Sequence, residues 1–194
     1  MELKISDLIA KEMFLTPEEI EAVDTLIPIK EFKKGRLLLE EGSIAKECYF
    51  NIKGCVRSYQ ILNGEEKTTQ FFIEGDSIAS LLSYLNKTPA NHYFECIEDY
   101  TLAVLSFDNE QKLYKQHPKF EALCRNSIEQ EFGKQQEVLQ NYLTRNPEER
   151  YLMLQETRPE LLQRVPQYHL ATFLGVQPES LSRIRKRIAQ KNKS

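Results

Sequence analysis

The sequence predicts an α+β chain, with helices first, an all-β body next, then one long helix and a small helical module at the end. Three observations lead there. An apolar period of two, punctuated by glycines, runs through residues 27–107. A period of three to four, without a further proline, runs from Pro118 to about Thr144. From Arg164 onward a short helical apolar pattern stands among Arg164, Arg183, Arg185, Lys186, Arg187, Lys191 and Lys193, against the single acid Glu179, so this tail carries +6 and the remainder −9 of a net −3. That asymmetry suits a small anion-binding module joined to an acidic body.

The composition, 194 residues with 41% hydrophobic and 28% charged, is that of a globular chain with one ordinary core and a small satellite domain. No apolar run approaches the ~18 residues of a membrane span. In "MELKISDLIAKEM" charges interrupt the block that a signal peptide would need, so a cytoplasmic protein without membrane contact is expected. Cys48, Cys55, Cys96 and Cys124 lie far apart with no C-x-x-C pair, which argues against a zinc site and a disulfide framework and for reduced, buried thiols. No metal or cofactor is expected.

In chain order, residues 1–26 read as helical, with Leu8, Ile9, Met13 and Phe14 at helical spacing and "LTPEE" supplying Thr16 as N-cap and Pro17 as first helical residue. Many short strands follow, and "NGEE" at residues 63–66 marks a tight hairpin, so a sandwich or barrel is expected. Asp108 is the expected N-cap of the next helix. The long helix carries Phe120, Cys124, Ile128, Phe132, Val138, Leu139, Tyr142 and Leu143 as one stripe. Periodicity alone leaves open whether that stripe packs on the β body or pairs with its twin in a dimer. Pro147 in "RNPEER" breaks the pattern. The division expected is residues 1–117, the long helix 118–146, and a terminal domain 147–194.

Residues 165–188, "VPQYHLATFLGVQPESLSRIRKRI", read position by position as a helix-turn-helix. Gln167 starts one helix, Leu170 and Leu174 face inward, Ala171 permits close approach, Gly175 turns and Val176 packs inside. Pro178 opens the second helix, whose Leu181, Ile184 and Ile188 share a face. At about 100° per residue the opposite face holds Glu179, Ser182, Arg183, Lys186 and Gln190, a surface fit for a major groove. The DNA-facing set is Gln167 and Tyr168 on the first helix with Pro178, Glu179, Ser180, Ser182, Arg183, Lys186 and Arg187 on the second. An ordinary two-helix corner with a solvated basic face is the competing reading; the matched turn and the +6 tail count against it.

With "KKGRLLLEEG", "YFNIKGCVRSYQILNGEEKTTQFFIEGD", a long helix and "PESLSRIRKRI" in this order, the chain resembles the Crp/Fnr family of bacterial transcription regulators from about residue 27 to residue 188. The resemblance implies a double-stranded β-roll like that of cyclic-nucleotide-binding domains, a homodimer crossing at the long helix through Phe120, Cys124, Ile128, Phe132, Leu139 and Tyr142, and a winged-helix domain. It also implies a near-palindromic double-stranded DNA operator and contact with RNA polymerase. The chain stops soon after the second helix, so a minimal wing is expected, with strands before Gln167 supplying any remainder. Of the family's Arg-Glu-x-x-x-Arg reading pattern, Glu179 and Arg183 carry over, while Pro178 replaces the leading Arg.

The sensor departs further. Cyclic-nucleotide binders of the family use Gly-Glu-Leu for the ribose and Arg-Ser-Ala for the phosphate; the matching positions here are Ala79, Ser80 and Leu81, and Ala90, Asn91 and His92. Without that Arg the phosphate would be desolvated with no counter-charge, so cyclic AMP is not the expected ligand, and Ser80, Leu81, Ala90, Asn91 and His92 mark a vestigial effector pocket. Lys87 is the one substitute cation that a shifted alignment would supply. Residues 1–47 hold no cysteine, against iron–sulfur sensing. The effector is then an unknown small molecule, or the signal comes from a protein partner or from expression level. A cupin-like metalloenzyme needs clustered ligands, whereas His92, His117 and His169 lie in three segments, and no catalytic constellation stands out. Not an enzyme is the expectation.

Overall fold

The computed structural model describes residues 3–191. Met1, Glu2 and residues 192–194, with the Lys193 counted in the basic tail, lie outside the described residues. In order the elements are α1 (Ile5–Ile9), α2 (Pro17–Leu26), β1 (Ile29–Phe32), β2 (Leu37–Leu39), β3 (Glu47–Lys53), β4 (Val56–Leu62), β5 (Glu65–Phe72), β6 (Ser77–Ile78), α3 (Leu81–Asn86), β7 (Tyr93–Cys96), β8 (Tyr100–Ser106), α4 (Phe107–Gln116), α5 (Lys119–Thr144), α6 (Pro147–Thr157), α7 (Pro159–Arg164), α8 (Gln167–Phe173) and α9 (Pro178–Lys191). They form an α+β fold. Two compact units emerge, Met1–Arg57 with Phe71–Phe132, and Ser58–Gln70 with Gly133–Ser194. Most of the β4–β5 hairpin thus groups with C-terminal residues, a grouping that no local sequence signal announces.

Two four-stranded sheets make the roll, ordered β1-β8-β3-β6 and β2-β7-β4-β5. Alternation assigns the faces. Tyr49 on β3 and Tyr100, Leu102 and Val104 on β8 join Val56, Phe72, Ile78, Tyr84, Ala90 and Phe94 in the interior. Their neighbours Phe50, Ile52 and Ala103 turn outward to a second cluster with Ile5, Leu15, Val23, Leu113 and Phe120, which fastens α1, α2, α4 and the start of α5 onto β3 and β8. The interior is therefore packed with aromatic side chains; Phe72 and Phe94 meet edge to face at 5.7 Å. The hairpin of β4 and β5 turns at Asn63 (φ 55°) and Gly64 (φ 80°), two consecutive left-handed residues, as its Asn-Gly sequence requires.

Thr16 caps α2 with Glu19 in a reciprocal capping box, and Pro17 is its first residue. Two local expectations give way. Phe14 does not continue an N-terminal apolar stripe: α1 ends at Ile9 and Phe14 is 83% exposed, while Leu8, Ile9 and Met13 pack inward. The cap of α4 is Ser106, whose Oγ accepts from Asn109 N at 3.3 Å, and Asp108 sits in the first turn instead. Phe107 explains the shift, because its N–H donates to Lys46 O and its ring packs against Tyr84, starting the helix directly after β8.

In the second unit every described element after α5 is a helix. The segment before Gln167 that was open to wing strands forms α6 and α7. Asn146 and Glu149 cap α6 reciprocally around Pro147, and Pro159 opens α7, so both segments carry helix-start chemistry.

Candidate nucleic-acid interface

Helices α8 and α9 pack against each other, with Leu170, Ala171, Leu174, Leu181, Ile184 and Ile188 all buried. The turn between them closes by two backbone hydrogen bonds, Gly175 N to Thr172 O at 3.1 Å and Val176 N to Ala171 O at 2.9 Å. This is the pairing of a Schellman C-cap, and it requires the left-handed φ of +72° that Gly175 adopts. A second constraint acts at the same place: a Cβ at Gly175 would lie 2.9 Å from the Tyr142 hydroxyl. Tyr142 thus covers the turn, and the Arg150 guanidinium stands 4.3 Å over its ring. The helix stripe marked Tyr142 but carried no sign of this contact.

The outer surface of the motif gathers most of the residues that the sequence marked. Gln167 Nε2 donates to Ser182 Oγ at 2.5 Å and to Pro178 O at 3.2 Å, tying the start of α8 to the start of α9. Arg183 Nη2 donates to Ser180 Oγ at 3.0 Å. Glu179, Ser182, Arg183 and Lys186 are exposed, and so is Tyr168, whose ring lies 3.9 Å from that of the buried His169. Arg187 is exposed as well, with its Nε 3.2 Å from Glu148 on α6. Thr172, which the sequence did not single out, accepts from Thr68 N of β5 at 3.3 Å and donates to His169 O. Only the fold brings those segments together.

The marked sensor residues occupy different settings around the roll. Ser80 is buried at the start of α3, its carbonyl accepting from Tyr84 N. Ala90 is pinned by backbone hydrogen bonds to Gly42 and Ser43, and its methyl joins the roll interior. Leu81 is half-buried and Asn91 exposed; Asn91 Oδ1 lies 3.0 Å from His92 Nδ1, and the His92 ring lies 4.8 Å from that of Phe94, tilted by 56°. Burial holds His92 below its ordinary pKa. Lys87 takes a left-handed φ of 54° after α3 and sets its Nζ 4.9 Å over the Phe107 ring. A cleft of about 820 Å³ opens at the rim, where Glu40, Glu41 and Glu47 outnumber Arg36 and Lys46, with Tyr49 and Phe94 among its walls.

Along α5, Phe120 is buried and Cys124 half-buried, while Ile128, Phe132, Leu139 and Tyr142 are 41–60% exposed. Burial pushes the Cys48 thiol up to about 12 and raises Cys124 in the same sense, so neither is ionised near neutrality. Glu110 accepts from the Tyr84 and Tyr114 hydroxyls, each at 3.0 Å. Among the described residues no group of three or more His, Cys, Asp or Glu is arranged to hold a metal.

Residues 29–117 match the family model of the cyclic nucleotide-binding domain. Solved structures extend the likeness over most of the chain. The c-di-GMP responsive global regulator CLP of Xanthomonas campestris superposes with a TM-score of 0.70 at 16% identity, covering 91% of this chain and 93% of that one. FixK2 of Bradyrhizobium japonicum gives 0.70 at 17% identity over 86% of each chain. A mutant of CooA from Carboxydothermus hydrogenoformans gives 0.67 at 12% identity, covering 98% of this chain and 86% of that one. The chain has a Crp/Fnr-type fold. No curated protein sequence matches it significantly. Within this Crp/Fnr-type fold the β-roll is the matched domain, and the helix-turn-helix lies beyond it, in the C-terminal residues. No described helix is long and apolar enough to cross a membrane.

Proposed function

We propose that the protein is a homodimeric, sequence-specific DNA-binding transcription regulator that does not respond to cyclic AMP. One observation carries this reading: α9 is fixed by Leu181, Ile184 and Ile188 on one side and presents Glu179, Ser182, Arg183 and Lys186 to solvent on the other, after a turn that only Gly175 accommodates. A rigid helix with donors and acceptors on its open face can read base edges, whereas flanking lysines supply phosphate contacts. Arg183 is the base-reading residue in this scheme and Lys186 a backbone contact.

The loss of cyclic-AMP sensing is supported by the roll itself. Tyr49, Phe72, Tyr84, Phe94 and Tyr100 fill its interior, Lys87 is directed at Phe107, and at the rim cleft Arg36 and Lys46 stand among Glu40, Glu41 and Glu47, so an anionic phosphate meets a net negative lining there. That packing favours control by a protein partner or by expression level over a nucleotide within the roll.

Duplex-binding measurements on two variants test the assignment. Arg183→Ala relaxes discrimination at one base pair, costing about 1–3 kcal/mol on the preferred sequence and little on random DNA. Lys186→Ala weakens all sequences alike and reduces the salt dependence. Equal losses on preferred and random duplexes for Arg183→Ala would remove it from the reading role.

A further inference from the structure

The cations of α9 divide between two faces. At 100° per residue, Arg183 and Lys186 lie opposite the buried Leu181, Ile184 and Ile188, whereas Arg187 and Lys191, one turn apart, lie on the flank that meets α6. There a single carboxylate meets both: Glu148 Oε2 lies 3.2 Å from Arg187 Nε, and its Oε1 accepts from Lys191 Nζ at 3.1 Å. The Glu148 side chain is 22% exposed, against 56% for Arg187 and 68% for Lys191, so a shielded acid partly neutralises two solvent-facing cations. Its own position is firm. Pro147 and the Asn146–Glu149 capping box fix the first turn of α6, where the helix dipole also favours a carboxylate. A shallow concavity lined by Asn146, Glu148, Ser180, Arg183 and Arg187 leaves this flank open to solvent.

We propose that Glu148 competes with the DNA backbone for Arg187 and Lys191, withholding them from phosphates and thereby limiting sequence-independent binding. The inference rests on the DNA-binding reading above. Phosphate contacts give affinity without sequence information, and each one steepens the salt dependence by releasing counterions. Exposed ion pairs are weak and screened by salt, so Glu148 acts as a bias against backbone contact and not as a lock. Arg183 lines the same concavity but is held by Ser180, so it keeps its reading role when Glu148 is replaced. The consequence is a larger ratio of specific to random binding than the seven-cation tail by itself would give.

The test is fluorescence anisotropy of the full chain on a random-sequence duplex between roughly 50 and 200 mM salt. Glu148→Gln should bind several-fold tighter at the low end, with the gain fading at the high end and the slope of log K against log salt steeper by about one. Adding Arg187→Gln and Lys191→Gln should cost more random binding in that variant than the same pair costs in the unaltered chain. Glu148→Asp, which keeps the charge, should stay close to the unaltered protein. An unchanged slope in Glu148→Gln, or weaker random binding with unchanged thermal unfolding, overturns the competition and leaves the DNA-binding reading intact. If Glu148→Gln does not fold, Glu148→Ala takes its place in the same comparison, and equal losses from the Arg187→Gln/Lys191→Gln pair in the two backgrounds overturn the proposal. Absence of salt-dependent binding by the unaltered protein would instead remove the DNA-binding reading itself.

Discussion

His92 and Arg183 show how differently single residues can be reached from sequence. Arg183 falls opposite three apolar residues of its helix, and that periodicity places it on the exposed face where the structure has it. His92 has no such pattern around it. Its environment is made by Phe94 two residues on and by burial in the roll, and burial lowers its pKa from 6.5. The sign of the linkage follows: below pH 6.5 the unfolded chain takes up a proton that the folded chain resists, so stability is fully present above that pH and falls as pH drops through the folded pKa. Denaturant unfolding of the unaltered protein should therefore show a declining midpoint just below pH 6.5, and His92→Gln should flatten the decline. Identical pH profiles for the two proteins would show that His92 is not responsible.

At the scale of elements, the sequence is most informative where the chemistry is local. Asn63 and Gly64 announce their hairpin because two consecutive left-handed residues demand them, and Gly175 announces its turn for the same reason. Thr16, Pro17 and Glu19 likewise spell a helix start within four residues. Contacts between distant segments leave no such mark. The ion pairs of Glu148 with Arg187 and Lys191, the Tyr142 ring on the Gly175 turn, and the Thr68–Thr172 hydrogen bond each join residues that are more than thirty positions apart. The start of α4 was misplaced for a related reason, since Phe107 is held by Lys46 and Tyr84. On α5 the stripe was legible but its use was not. Ile128, Phe132 and Leu139, all more than 40% exposed in one chain, suit a twin helix. Asp at both Ile128 and Leu139 should convert the dimer to monomers in analytical ultracentrifugation while leaving secondary structure unchanged. An unmodified protein that sediments as a monomer at micromolar concentration would refute that use of the stripe.

For the whole molecule, a matched cyclic nucleotide-binding domain whose interior is filled precedes a helix-turn-helix whose outer face is polar and basic. Titration calorimetry with cyclic AMP should register no saturable heat. A ligand shifts a conformational equilibrium only by its differential affinity, so DNA binding should be the same with and without the nucleotide. Saturable micromolar binding abolished by Lys87→Ala would show instead that Lys87 leaves Phe107 and serves the pocket. The most direct test of the central claim is selection of bound duplexes from random DNA with the purified protein. Two α9 helices related by a dyad should enrich one near-palindromic sequence with half-site centres about 34 Å apart, and Arg183→Ala should lose the preference at one base pair in each half. Recovery of no common sequence, or of a lone half-site bound by a monomer, would contradict it.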